Sequence, residues 1–289
     1  MKKSRWVKCI SSQGTTRGVA IEATDYVQKA IDLHGLVDEE AVRLGEALIG
    51  GMILASYAKF GERINLNVRG TGQIKQALVD GFPEGFARGY VVKNDISAAP
   101  EGYGPWGDGL LSVLRTKGTE GQPPYIGTVP MATGHLAKDL TFYWVQSEQV
   151  PSAVGIAVSV EGSKVIEAGG FLVQAMPGAS EKELEQIEKH IVEVGDLARR
   201  FGADAEPTQL LSEFFQDSTF LLLEEKEIGY RCECSLEKVE RALILIGKRE
   251  LISLRDENKD VEVNCDFCRK LFTVSVTRLG ELSEQTKRD

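Results

Sequence analysis

The chain has 289 residues, 42% of them hydrophobic and 27% charged, a balance that suits globular domains with room for more than one core. No run of about twenty apolar residues occurs, so no membrane-spanning helix is expected. A net charge of −9 argues against a nucleic-acid partner, which needs a basic patch to neutralise phosphates.

The opening MKKSRWVKCISSQG has the basic start of a secretory signal, but Lys8 and Ser11 interrupt its apolar stretch too early, so a cytoplasmic location is expected. Strands are expected at 5–10 and 17–23. Residues 38–58, DEEAVRLGEALIGGMILASYA, form a helix whose Ala and Gly residues allow close packing against a sheet. In ERINLNV, residues 62–68, Ile64, Leu66 and Val68 alternate with polar neighbours as a half-buried strand requires. Further strands are expected at 86–92, 110–116, 124–129, 153–160 and 164–175, with a helix at 134–148 that stops before Pro151. The motif GYGPWG at 102–107 spells G-x-G-x-x-G. No clear strand precedes it, Pro105 lies inside it and LLSVL after it reads as a strand, so it is expected to be a glycine-rich surface loop and not a dinucleotide site. These elements give an α+β class, with a large N-terminal domain of mixed sheet and helix over 1–178.

After Pro177 and Gly178 the pattern changes. Ser180 and Glu183 make a capping box, and Leu184, Ile187, Ile191, Val194, Leu197 and Phe201 recur at helical spacing amid dense charge. Gly202 and Pro207 are expected to end that helix, and TQLLSEFF to form a second. Residues 179–231 therefore read as an amphipathic helical linker, and 232–289 as a small C-terminal zinc-binding domain. Residues 231–289 hold twelve Lys and Arg against twelve Asp and Glu, so the excess acid lies before the tail.

The tail carries four of the five cysteines, in RCECS and NCDFCRK. Two short pairs on separate segments, Cys232 with Cys234 and Cys265 with Cys268, can offer four thiolates to one Zn²⁺. A module this small has little apolar area to bury, so the ion would supply much of its folding free energy, on the order of 10 kcal/mol. Between the pairs, Val239, Leu243 and Ile244 mark a small helix, followed by a strand-like run to VEVNC. Zinc-bound thiolates are also targets for peroxide, and each has a neighbouring thiol to resolve the product. Two other readings stay open. CDFC could belong to a thiol oxidoreductase, although no βαβ pattern surrounds it, and the tail could be a constitutive zinc module that binds a partner protein. The three histidines, His34, His135 and His190, are scattered and read as surface or packed residues. Cys9 reads as a buried strand thiol. No Ser-His-Asp or paired-carboxylate motif stands out, and no enzymatic activity is expected.

The chain resembles the redox-regulated 33-kDa chaperonin family (heat shock protein 33). The resemblance rests on C-x-C-S followed by C-x-x-C, on ARGYV at 87–91, SEQVP at 147–151 and GGFLVQAMPG at 169–178, and it covers nearly the whole chain. Phe272 stands where relatives have Tyr, which leaves the ligand set intact. The resemblance implies a holdase that works without ATP. Its reduced form would hold one Zn²⁺ on the four cysteines and be inactive. Oxidation would form Cys232–Cys234 and Cys265–Cys268 disulfides and release the metal. The switch domain and linker would then unfold, and the protein, as a homodimer, would bind unfolding clients. The small Cys232–Cys234 ring would be strained and readily reduced again. The linker stripe, Leu184, Ile187, Ile191, Val194 and Leu197, is the candidate client-binding surface.

Overall fold

The first hairpin follows directly from its alternation. Strand β1 (Arg5–Ser11) pairs antiparallel with β2 (Thr16–Glu22), and Trp6 is buried on one face of the pair while Val7 and Cys9 are buried on the other. A computed structural model describes residues 3–96, 99–117, 123–195, 197–201, 206–216 and 219–285, and the chain divides into two units, Met1–Arg231 and Cys232–Asp289.

In the first unit, helices α1 (Thr24–His34) and α2 (Asp38–Ser56) follow the hairpin. Strands β3 (Arg63–Gly70), β4 (Ile74–Phe82), β5 (Phe86–Lys93), β6 (Gly109–Thr116) and β7 (Tyr125–Pro130) come next, then helix α3 (Leu136–Gln146) and the strands β8 (Ser152–Glu161) and β9 (Lys164–Ala175). Helices α4 (Glu181–Val194) and α5 (Pro207–Phe214) and strands β10 (Phe220–Glu227) and β11 (Gly229–Tyr230) complete the unit. One sheet has the order β10-β1-β2-β9-β8 and the other β11-β5-β4-β3-β6-β7. The α+β class is the one the sequence implies.

Helix α2 is the centre of the main core. From Ala41 to Ser56 nearly all of its residues are buried, and its small residues let strands approach closely. A β-carbon added at Gly51 would lie 2.4 Å from Val79 Cγ1, and one at Gly81 would lie 2.6 Å from the Gly51 carbonyl oxygen. Gly51→Val is therefore expected to cost about 1–3 kcal/mol through overpacking. A drop in the urea midpoint would show it, and an unchanged midpoint would refute the close packing.

The loop at 102–107 is not a simple surface loop. Trp106 is fully buried, its indole N–H donates to Glu46 Oε2 (2.8 Å), and Gly104 and Trp106 donate backbone N–H bonds to Thr133 and Gly134. The linker 179–231 is not wholly helical. Helix α4 stops at Val194, where Gly195 takes a φ of +67°, Leu197 and Phe201 follow in a short turn, and the segment ends in strands β10 and β11. Gly202, expected to end the linker helix, lies outside the described residues. The linker folds with the first unit. Helices α4 and α5 cover the face of the five-stranded sheet opposite α2, where Ile187, Phe201, Leu210, Leu211, Phe214 and Phe215 pack on Val7, Cys9, Phe171 and Val173. Ile187 is 5% exposed, while Leu184, Ile191, Val194 and Leu197 are half-buried.

The second unit consists of α6 (Leu236–Leu245), α7 (Lys248–Asp256), the hairpin β12 (Val261–Asn264) and β13 (Leu271–Val274), and α8 (Val276–Gln285). Where one small helix was expected between the cysteine pairs there are two, separated at Gly247, whose φ of +101° stops α6. The unit's buried apolar cluster is small: Leu251, Val274, Leu279 and Leu282, with Val239, Leu243 and Ile244 partly covered. Among the described residues, no helix is long and apolar enough to cross a membrane.

Candidate metal centre

Each half of the site is held by its own local chemistry. Cys232 and Cys234 lie in the extended segment that leads into α6, and Ser235 caps that helix by accepting from the Lys238 amide (3.3 Å). Cys265 and Cys268 lie in the turn between β12 and β13. The amides of Cys268 (3.3 Å) and Arg269 (2.8 Å) donate to the Cys265 carbonyl, and the Cys265 amide donates to the Lys270 carbonyl (3.0 Å). Arg269 closes the turn at a φ of +57°. Antiparallel pairing of Asn264 with Leu271 fixes the turn's ends.

The fold brings all four sulfurs together. Cys232 Sγ lies 3.8 Å from Cys265 Sγ, Cys234 Sγ lies 3.3 Å from Cys268 Sγ, and the four Sγ atoms are all within 4.8 Å of one another. A tetrahedron with metal–sulfur bonds of about 2.3 Å places its sulfurs about 3.8 Å apart. The set therefore has the ligand type, number and spacing to hold a metal ion, and it is compatible with zinc. All four cysteines are partly buried, and none is in a disulfide.

Electrostatics agree with this geometry. Burial, and then the neighbouring thiols of Cys268, Cys232 and Cys265, push the Cys234 thiol well above its ordinary value. Burial also raises Cys265, opposed by the amides of Cys268 and Phe267, which favour its thiolate. Four crowded sulfurs resist ionising together, and a divalent cation at their centre reverses that preference. Cys9 has no part in the cluster. It is fully buried in β1, and burial pushes its thiol up to about 12. His190 is a buried residue of α4, with its Nδ1 3.1 Å from the Phe214 carbonyl oxygen.

Reading the sequence missed the tie that closes the module at its far end. The Arg278 guanidinium of α8 donates to both carboxylate oxygens of Glu240 on α6, each at 2.8 Å, and those hydrogen bonds hold the Glu240 carboxyl below its usual range. Phe272, the position that departs from the resemblance, is buried, and Lys270 Nζ lies 5.1 Å from its ring centroid.

A family profile described as Hsp33 protein matches residues 4–275. The 33 kDa chaperonin of Clostridium botulinum strain 657 is 33% identical over 98% of this chain and 98% of its own length. That of Streptococcus thermophilus LMD-9 is 34% identical over 96% of this chain and 98% of its own. The solved structure of the 33 kDa chaperonin (heat shock protein 33 homolog) from Thermotoga maritima matches with a TM-score of 0.86 at 30% identity, covering 99% of each chain. With the profile, the relatives and the fold in agreement over almost its entire length, the chain belongs to the Hsp33 family of 33 kDa chaperonins.

Proposed function

We propose that this chaperonin is a redox-regulated holdase whose reduced form holds one Zn²⁺ on Cys232, Cys234, Cys265 and Cys268 and is inactive. The observation that carries this reading is the convergence of four sulfurs, from two distant segments, to within 4.8 Å of one another. Two equivalents of peroxide take four electrons from the four thiolates. One S–S bond forms between Cys232 and Cys234 and another between Cys265 and Cys268, and with two protons each peroxide leaves as two waters. The ligand set is then gone, and the two segments it joined come apart.

The small core of Leu251, Val274, Leu279 and Leu282 does not hold residues 232–289 together without the ion. Unfolding reaches the linker through the chain at Tyr230 and Arg231. The stripe of Leu184, Ile187, Ile191, Val194 and Leu197 then leaves the sheet face it covers, and the exposed apolar surface binds unfolding proteins without ATP. Oxidation yields a homodimer. Neither a nucleic acid nor a membrane is a partner, the protein is not an enzyme, and a reducing cytoplasm keeps the switch off.

The test is a peroxide titration under mildly destabilising heat that follows zinc, free thiols and suppression of one client's aggregation together. The expected result is loss of about one zinc per chain as four thiols disappear, with suppression rising in step. Zinc that stays bound, or zinc loss without suppression, would make the site purely structural.

A further inference from the structure

Strand β10 is an edge strand, and none of its eight side chains is buried. Its neighbours in the chain are anchored: Phe214 and Phe215 before it are 0% and 1% exposed, and Ile228 and Tyr230 after it are 8% and 6% exposed. What ties β10 down is backbone pairing with β1 from Arg5↔Glu227 to Ser11↔Phe220, the half-buried Phe220 ring 5.8 Å from that of Phe215, Lys226 donating to the Pro83 carbonyl (3.0 Å), and a ladder of charge. Lys8 reaches Glu224 (2.5 Å), Arg5 reaches Glu225 (3.1 Å) and Lys3 reaches Glu227 (3.1 Å). Ion pairs at a surface hold weakly, and a strand without buried side chains sits at the low end of local stability.

The basic side of this ladder is fixed more firmly than the acidic side. The side chains of Arg5 and Lys8 are only 12% and 15% exposed. Lys8 Nζ lies 4.8 Å from the Trp6 ring centroid and 5.7 Å from that of Tyr57. Arg5 also pairs with Glu206 (2.5 Å), a residue of the same linker. When the linker leaves, β1 is thus left with an open row of backbone donors and acceptors and with two seated cations that have lost their linker carboxylates.

We propose that the β1 edge vacated by β10 binds an extended segment of an unfolding protein, in which an apolar run is followed by acidic residues as in FLLLEEKE itself. The proposal rests on the redox-chaperone reading above. Strand addition supplies main-chain hydrogen bonds that any extended chain can make, and Arg5 and Lys8 add the preference for acid. The register follows β10: Lys8 opposite Glu224, Val7 opposite Glu225, Cys9 opposite Leu222 and Ile10 opposite Leu221.

The experiment uses the full chain and two dye-labelled peptides followed by fluorescence anisotropy. One is TFLLLEEKEI, the sequence of residues 219–228, and the other has its three glutamates replaced by glutamine. Oxidised protein should bind the acidic peptide about tenfold more tightly than the neutral one, and the gap should close as salt rises from about 0.05 to 0.5 M. Reduced protein, with β10 in place, should bind both about tenfold more weakly. Arg5→Gln with Lys8→Ala should abolish the preference in oxidised protein. The salt dependence on the unaltered chain tests the same point if that variant does not fold.

Equal affinity for the two peptides, or no binding by oxidised protein that still suppresses aggregation, overturns the edge assignment and leaves the redox reading standing. Peptide binding that disappears as protein concentration rises and a dimer forms assigns the edge to β10 of a second copy and overturns the client assignment. Oxidised protein that fails to suppress aggregation removes both.

Discussion

Cys265→Ser is expected to abolish metal binding and unfold the second unit while α2 and its flanking strands in the first unit stay folded. Three thiolates cannot complete the tetrahedron, and structural zinc contributes on the order of 10 kcal/mol to a module of this kind. The apolar cluster around Leu251, Val274, Leu279 and Leu282 is too small to replace it. Metal content should fall from about one per chain to near zero. Amide hydrogen exchange should show α6, α7 and α8 unprotected, with α2 and its flanking strands as slow as in the unaltered chain. On the proposed function, the reduced variant should also suppress aggregation without any oxidant. Retained metal with protected helices would refute the four-cysteine site. An unfolded second unit with no gain of suppression would refute the switch while leaving the site.

Replacing Leu184, Ile187 and Ile191 together by Ser tests the linker in both redox states. Ile187 is 5% exposed and faces the sheet, and Leu184 and Ile191 flank it along a crevice lined by Ala153 and Val173. Truncating one buried aliphatic side chain costs about 2–5 kcal/mol, and hydroxyls placed against an apolar sheet face add to that. In the reduced state α4 should loosen and the protein should show partial suppression without oxidant. On the proposed function, the same variant should in the oxidised state fall below the unaltered protein, because part of the surface that oxidation releases has become polar. A reduced variant that stays silent, together with an oxidised one at full strength, would mean that α4 neither covers nor forms the client surface.

The difference between what could be read in the chain and what could not follows the range of the interactions. The capping box at Ser180 and Glu183, the strand alternation of Ile64, Leu66 and Val68 and the small-residue face of α2 were legible because each depends on residues within a few positions of one another. The cysteine pairs were legible for the same reason, since ligand type, number and spacing are local chemistry. Strand β4 was missed because a register shift between Ile74 and Gln76 breaks its alternation. Helix α1 was not expected, although Tyr26, Val27, Ala30 and Ile31 recur at helical spacing and bury one face.

The sequence by itself determined the α+β class, the four-cysteine set able to hold a metal ion and the presence of an apolar stripe that needs a cover, because residue type and short spacing are enough for each. Only the tertiary structure decided what that stripe covers, how closely the four sulfurs approach and where β10 goes. A strand with no buried side chain carries no periodic signal of its own. Its place beside β1 comes from backbone pairing and a charge ladder with Lys3, Arg5 and Lys8 at the opposite end of the chain, and a pattern read along the chain does not record a partner so distant.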